Sequence, residues 1–285
     1  MELPNWLRIV LLLLNFISFL PQLWLLWVRK DSSGLSLFYA LWNLIVATEL
    51  FTLSFLLVVN YAGEGSLDKP DLFVHYPPDV GDRINLAQFT LVWALWVVIF
   101  TACLAWRSDP DHGSRKTVSA IYLFFLLISV VPIFADALTN HSRDQYHSWG
   151  LDLFGGVHLL FVNPIVNFLG IAALFAQARI LMGRTLGSGL GALSLVGLAA
   201  QGVTFALLAP SWLWRLSFPW DEVNGDWLNW AVLKAWFQMV GFVSVDYAVF
   251  AIAQFVLLLI AVRRRLHNGD ISGASVGETE PLLGN

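Results

Sequence analysis

Two carboxyl groups stand where the chain offers them almost no water: Glu49 amid Leu44–Leu53 and Asp246 amid Val240–Val256. An ionisable side chain inside an apolar segment is a functional-site candidate by default, and one that takes up and releases a proton as access alternates suits a proton carrier. The same residue type also serves as a fixed, paired or protonated carboxyl that sets helix packing, and the residues alone leave both roles open. His158 is a further ionisable residue within a span, although a lone histidine more often serves as a neutral packing residue. Amides and hydroxyls add a second pattern. At about 100° per residue, Asp152, Gly156, Asn163, Asn167, Gly170 and Gln177 fall within a sector of about 80° on one helix, and Arg8, Asn15, Ser18 and Gln22 form a similar stripe on another. Polar side chains are costly in hydrocarbon, so the stripes should face each other or a wet pathway. Asn43 is a further pathway candidate, and Pro164 should bend its helix inside the stripe.

Enzyme chemistry finds no footing. There is no HExxH, no glycine-rich phosphate loop and no cysteine pair, while His75, His141 and His147 are scattered over polar links. No catalytic residue, metal, cofactor or nucleic-acid partner is therefore expected. Cys103 is the single cysteine, which excludes an intramolecular disulfide.

The elements that must position these groups follow from hydropathy. Of the 285 residues 58% are hydrophobic and 13% charged, with a mean hydropathy of +0.68, whereas soluble domains carry roughly a quarter charged residues. Seven apolar stretches, at about 6 to 28, 35 to 60, 85 to 106, 118 to 139, 152 to 178, 187 to 212 and 232 to 262, approach or exceed the ~20 residues a spanning helix needs. A lone segment in lipid satisfies its backbone only as a helix, so an all-α membrane protein of seven transmembrane helices is expected. Most of the 16 Lys and Arg, including Arg29, Lys30, Arg107, Arg115, Lys116, Arg179, Arg184 and Arg263 to Arg265, lie in alternate links and the tail. The positive-inside rule then puts the N-terminus in a lumen and the C-terminus in the cytosol. The first apolar run is too long for a signal-peptide core, so no cleaved leader is expected. Asn140-His141-Ser142 is a sequon in a link assigned to the lumen, making Asn140 a candidate glycosylation site. Most of the 14 Trp, among them Trp6, Trp27, Trp106, Trp149, Trp212, Trp214 and Trp227, read as interfacial anchors.

A segment recurs across these spans. Aligned without gaps, Gln22 falls on Gln177, Arg29 on Arg184, Ser33 on Ser188, Gly34 on Gly189 and Leu35 on Leu190. Both copies join one apolar run to the next, which predicts a parallel repeat arranged 3+1+3. The first three-helix repeat covers 1–106, a linker helix 4 with its flanking loops 107–150, a second, degenerate repeat 151–262 and a cytosolic tail 263–285.

The first copy, Phe19-Leu20-Pro21-Gln22 followed by Arg29-Lys30-Asp31-Ser32-Ser33-Gly34-Leu35-Ser36, resembles the PQ-loop repeat of cystinosin-like and vacuolar amino-acid transporters, distant relatives of SWEET sugar carriers and KDEL receptors. The second copy departs from that pattern, with Ala176 in place of the proline and no acid beside Gly189. The resemblance implies seven helices, a lumenal N-terminus, and a hinge at Pro21, Gln22 and Gln177. It also implies a small-molecule solute, an amino acid first, moved by alternating access with protons. Glu49 and Asp246 are then the proton-coupling candidates, with Asn15, Ser18, Asn43, Asn163, Pro164 and Asn167 lining the solute pathway. A lumenal-ligand receptor or sensor on the same fold, or a pH-independent sugar carrier, are the competing expectations. Independently, Glu278-Thr279-Glu280-Pro281-Leu282-Leu283 has the form of an acidic dileucine signal. Glu278, Leu282 and Leu283 would engage a clathrin-type adaptor and direct the protein to a vacuolar, lysosomal or endosomal membrane, with polar Gly269–Gly277 as a disordered tether.

Overall fold

The computed structural model describes residues 3–61, 72–106, 112–139, 145–183, 193–220 and 229–277. Among these residues every regular element is helical: α1 (Asn5–Arg29), α2 (Leu37–Phe55), α3 (Val80–Ala105), α4 (His112–Thr139), α5 (Gln145–Val157), α6 (Asn163–Gly183), α7 (Leu195–Ser211), α8 (Trp230–Trp236) and α9 (Phe242–Gly277). Three π turns interrupt or extend them: Leu56–Asn60 after α2, His158–Val162 between α5 and α6, and Phe237–Gly241 between α8 and α9. Joined through these turns, seven continuous helices are long and apolar enough to cross a membrane, and the protein is a multi-pass membrane protein.

Local chemistry sets the ends. Lys30 closes α1 in the left-handed conformation, its amide bonding the Leu26 carbonyl, and Gly34 with φ 99° supplies the turn after it. The hydroxyl of Ser36 accepts from the Tyr39 amide to start α2, and Ser194 does the same for Gly197 at the start of α7. The third span begins at Val80 rather than near 85, because Asp79 and Asp82 form a reciprocal capping box. The last helix runs to Gly277, past the expected end at 262 and through the segment expected to be a disordered tether. No proline or left-handed cap stops it, and extending a formed helix adds one bond per residue fixed.

Helix α3 packs against both α1 and α2, and α9 against both α6 and α7. Helices α1 and α7 meet, as do α2 and α6, while α4 lies on α2. Trp93 donates through Nε1 to the Tyr122 hydroxyl at 3.1 Å, which ties α3 to α4. Outward faces carry Phe124, Leu127, Phe161, Ile165, Phe168 and Leu259, and the interior holds Arg8, Asn15, Glu49, Gln88, Asn163, Gln177 and Gln254. Apolar residues outside and polar ones inside is the arrangement lipid demands. Trp6, Trp27, Trp149 and Trp214 are exposed as anchors should be, whereas Trp212, also expected at the interface, is fully buried, stacked on Phe89 at 4.8 Å.

Gly241 closes the last π turn against Trp236, and a methyl there would meet the indole ring at 2.6 Å. Gly241→Ala is expected to lower the thermal unfolding midpoint of the detergent-solubilised protein, by the equivalent of about 1–3 kcal/mol.

Candidate functional site

The two motif glutamines, expected to be a hinge pair, cross between helices that are distant in sequence. From α1, Gln22 accepts through Oε1 from the backbone amide of Ser194 at 2.9 Å. From α6, Gln177 accepts through Oε1 from the amide of Ser36 at 2.8 Å and donates through Nε2 to the Gly34 carbonyl at 2.7 Å. Ser36 and Ser194 are the N-caps of α2 and α7, whose first amides have no partner within their own helix. Each glutamine therefore completes the start of a helix on the opposite side of the molecule. Gln177 is fully enclosed, and Leu35 and Leu193, just before the two capping serines, are buried. Beside Gln22, Leu35 and Leu193 lies a cavity of about 10 Å³, bordered also by Tyr39, Trp96 and Gln201.

Further along α2, Glu49 lies fully buried with both carboxylate oxygens 2.9 Å from Nδ1 of His158. His158 is the first residue of the π turn between α5 and α6, and its ring packs on Phe154 with centroids 4.2 Å apart. That π turn touches the one at Phe237–Gly241. Asp246, on α9 and 5% exposed, lies within the electrostatic reach of Glu49, and its Oδ2 has no hydrogen-bond partner among the described residues. The structure thus brings the two expected carboxyls into one field and adds a histidine to one of them.

The pathway residues are distributed unevenly. Asn15 and Asn163 are fully buried, with neither side-chain atom bonded to a described residue. Ser18 donates to the Asn15 carbonyl at 2.7 Å, Asn43 to the Tyr39 carbonyl at 2.8 Å and Asn167 to the Asn163 carbonyl at 3.0 Å, each within its own helix. Pro21 sits inside an unbroken α1. Pro164 comes directly after the π turn, in which the Asn163 amide reaches back to the His158 carbonyl. A proline donates no amide bond and crowds the carbonyl four residues before it, and the wide turn relieves both. That turn also corrects the stripe. One extra residue rotates the remainder of the helix by about 100°, so Leu151, Gly155 and His158 are buried before it and Asn163, Val166 and Gln177 after it. Asp152 is exposed and accepts from the Tyr61 hydroxyl at 3.1 Å instead of facing the interior. Helix α1 packs on α3 and α7, and α6 on α2 and α9, so each stripe is buried among its own neighbours. Asn140, Glu278, Leu282 and Leu283 lie outside the described residues.

No protein-family model and no curated protein matches this chain.

His75, set aside in the sequence as one of several scattered histidines, meets Asp79 and Asp82, with one ligating atom of each lying within 4.8 Å of the others. These carboxylates are engaged by the cap of α3: Asp82 accepts from the amides of His75 and Asp79, both at 3.0 Å, and Asp79 accepts from the Asp82 amide at 2.8 Å. Burial works against the charged form of Asp79, but the Asp82 amide, His75 and Arg8 outweigh it and hold the carboxyl below its ordinary value. The group's stabilising effect is then complete above an unfolded value of about 3.9 and is lost as pH falls through the lower folded value. Asp79→Asn is accordingly expected to lower the thermal midpoint by the same amount at neutral and at mildly acidic pH, read from paired melting curves.

The arrangement ties α1 to the start of α7 and α6 to the start of α2, with Glu49, His158 and Asp246 buried elsewhere among the helices. Gln22→Leu and Gln177→Leu each strand a buried backbone amide, and each is expected to destabilise by about 1–3 kcal/mol in thermal or denaturant unfolding.

Proposed function

We propose that this protein is a transporter of a small polar solute, an amino acid, which it moves across a vacuolar, lysosomal or endosomal membrane by alternating access coupled to protons. The observation that carries this reading is the reciprocal exchange of motif glutamines, Gln22 to the start of α7 and Gln177 to the start of α2. It supports a parallel repeat arranged 3+1+3, in which α1, α2 and α3 form one bundle and α6, α7 and α9 the other. Helix α4, lying on α2, is the linker. Two like bundles with a site between them are the machinery of rocking carriers.

On this reading the N-terminus is lumenal, the glutamine crossing is a closed cytosolic gate, and Pro21 with the two glutamines forms the hinge. Opening the gate exchanges the amide bonds of Ser36 and Ser194 for water. Glu49, hydrogen-bonded to His158, carries the proton, and Asp246, whose Oδ2 has no partner among the described residues, takes the second acidic role. The solute class follows from the resemblance of Pro21-Gln22 through Ser36 to the PQ-loop repeat, and the compartment from the dileucine pattern at Leu282 and Leu283.

The test changes Leu282 and Leu283 to Ala, so that the protein reaches the cell surface, and assays uptake of labelled amino acids and sugars at neutral and acidic external pH. An amino acid should enter faster from acid, and Glu49→Gln or Asp246→Asn should cut the pH-driven component by roughly tenfold or more, about 1.4 kcal/mol, without loss of folded protein. Unchanged flux in both variants would sink the proton assignment. Saturable binding with no flux would make the protein a receptor, and pH-indifferent sugar uptake a sugar carrier.

A further inference from the structure

At the other end of α1, about 21 Å from Gln22 by helical rise, two guanidinium groups are buried with no carboxylate within 4 Å among the described residues, although the Asp79 carboxyl lies in the field of Arg8. Arg8 is 1% exposed and Arg215 4%. Arg8 donates through Nε to the Leu3 carbonyl at 3.0 Å and lies over Gly81, where a methyl group would meet its Nη1 at 2.0 Å. Arg215 follows α7 and donates through Nη1 to Asn85 at 3.1 Å and Gln88 at 2.7 Å, both on α3, with its guanidinium 4.5 Å above the Trp212 ring. The two cations act on each other, and Tyr247 on α9 lies in the field of Arg215.

The character of the unbonded atoms here is one-sided. Arg8 Nη1, Arg215 Nε and Nη2, Gln88 Nε2 and Trp212 Nε1 are buried donors with no acceptor among the described residues, and the Tyr247 hydroxyl is also unbonded. Asp79 offsets part of the charge on Arg8, but Arg215 has no carboxylate in its field among the described residues and a second guanidinium beside it, and burying a cation on those terms is strongly unfavourable. Neutral amides and an indole face cover part of that deficit. What completes such a cluster is a small planar anion with lone pairs on two oxygens, the shape a guanidinium fork matches in two parallel bonds.

We infer that Arg8 and Arg215, with Gln88, Trp212 and Tyr247, form the seat for the carboxylate of the transported solute. The inference rests on the transporter reading for its ligand and on the donor cluster for its place. Gly81 serves the seat by leaving the room that the Arg8 guanidinium occupies. Asp246, next to Tyr247 on α9 and within its field, offers an unbonded carboxyl oxygen, which fits a solute that carries an ammonium as well as a carboxylate.

The test uses the full-length protein in nanodiscs, with thermal shift and calorimetry against a panel of L-amino acids, the corresponding amino-acid amides and inorganic phosphate. At least one amino acid should raise the midpoint, its amide should bind at least tenfold more weakly, and Arg8→Lys, Arg215→Lys and Gly81→Ala should each weaken the acid by tenfold or more. Lysine keeps the charge and loses the fork, and Gly81→Ala displaces Arg8 without removing it, so any one folded variant suffices. Equal binding of acid and amide, binding of phosphate alone, no binding by any amino acid, or unchanged affinity in the folded variants would overturn the assignment. Carboxylate-dependent binding without flux keeps the seat and removes the transporter. Amino-acid flux indifferent to all three substitutions does the reverse.

Discussion

The start of a helix leaves amides that its own turns cannot satisfy, and inside a membrane protein no bulk water is at hand to take them. Two such starts, Ser36 before α2 and Ser194 before α7, lie in the interior, and the answer in each case is a glutamine from another helix, Gln177 of α6 for Ser36 and Gln22 of α1 for Ser194. The bond cannot form unless α1 meets α7 and α2 meets α6, so the arrangement of four spans hangs on two side chains. It also explains why an amide suits both positions. Gln177 accepts from one backbone group and donates to another in the same loop, which neither a carboxylate nor a lysine does.

Along the axis of the bundle the buried polar groups differ in how fully they are matched. At the glutamine crossing, backbone and side chain answer one another. In the middle, Glu49 and His158 form a pair, while Asp246, Asn15 and Asn163 keep unbonded atoms. At the far end, five donor atoms around Arg8 and Arg215 have no acceptor among the described residues. Satisfied networks make a structure rigid and partly satisfied ones remain available for exchange. The gradient separates a part that holds the fold from a part with bonding capacity to spare.

Much of this is legible in the residues because lipid restricts the choices so severely. The seven spans follow from apolar length, and the burial of Arg8, Asn15, Ser18 and Gln22 follows from helical period on an uninterrupted α1. Period fails where the helix is not α. The single extra residue of the π turn at His158 throws Asp152 off the buried face and brings His158 onto it, beneath Glu49. Pro164 is the one local sign of that turn, and proline alone does not distinguish a wide turn from a kink. The Arg215 cluster was hidden for a different reason. Its members come from the end of α7, the start of α3 and the second turn of α9, and no sequence spacing connects them. Trp212 looked like an interface anchor because its position at a span end is shared with tryptophans that do face out.

The cavity beside Gln22, about 10 Å³, has room for a single water at most. One molecule is not a wire: a proton needs a file of waters to hop along, and a dissolved cation needs several to keep its shell. Tyr39, Trp96, Leu35 and Leu193 close the surroundings. On the transporter reading proposed above, this level of the molecule would sustain a voltage or pH difference over the thickness of a few side chains. On the same reading, the narrowness would let anything larger than water pass only after the two glutamines had let go.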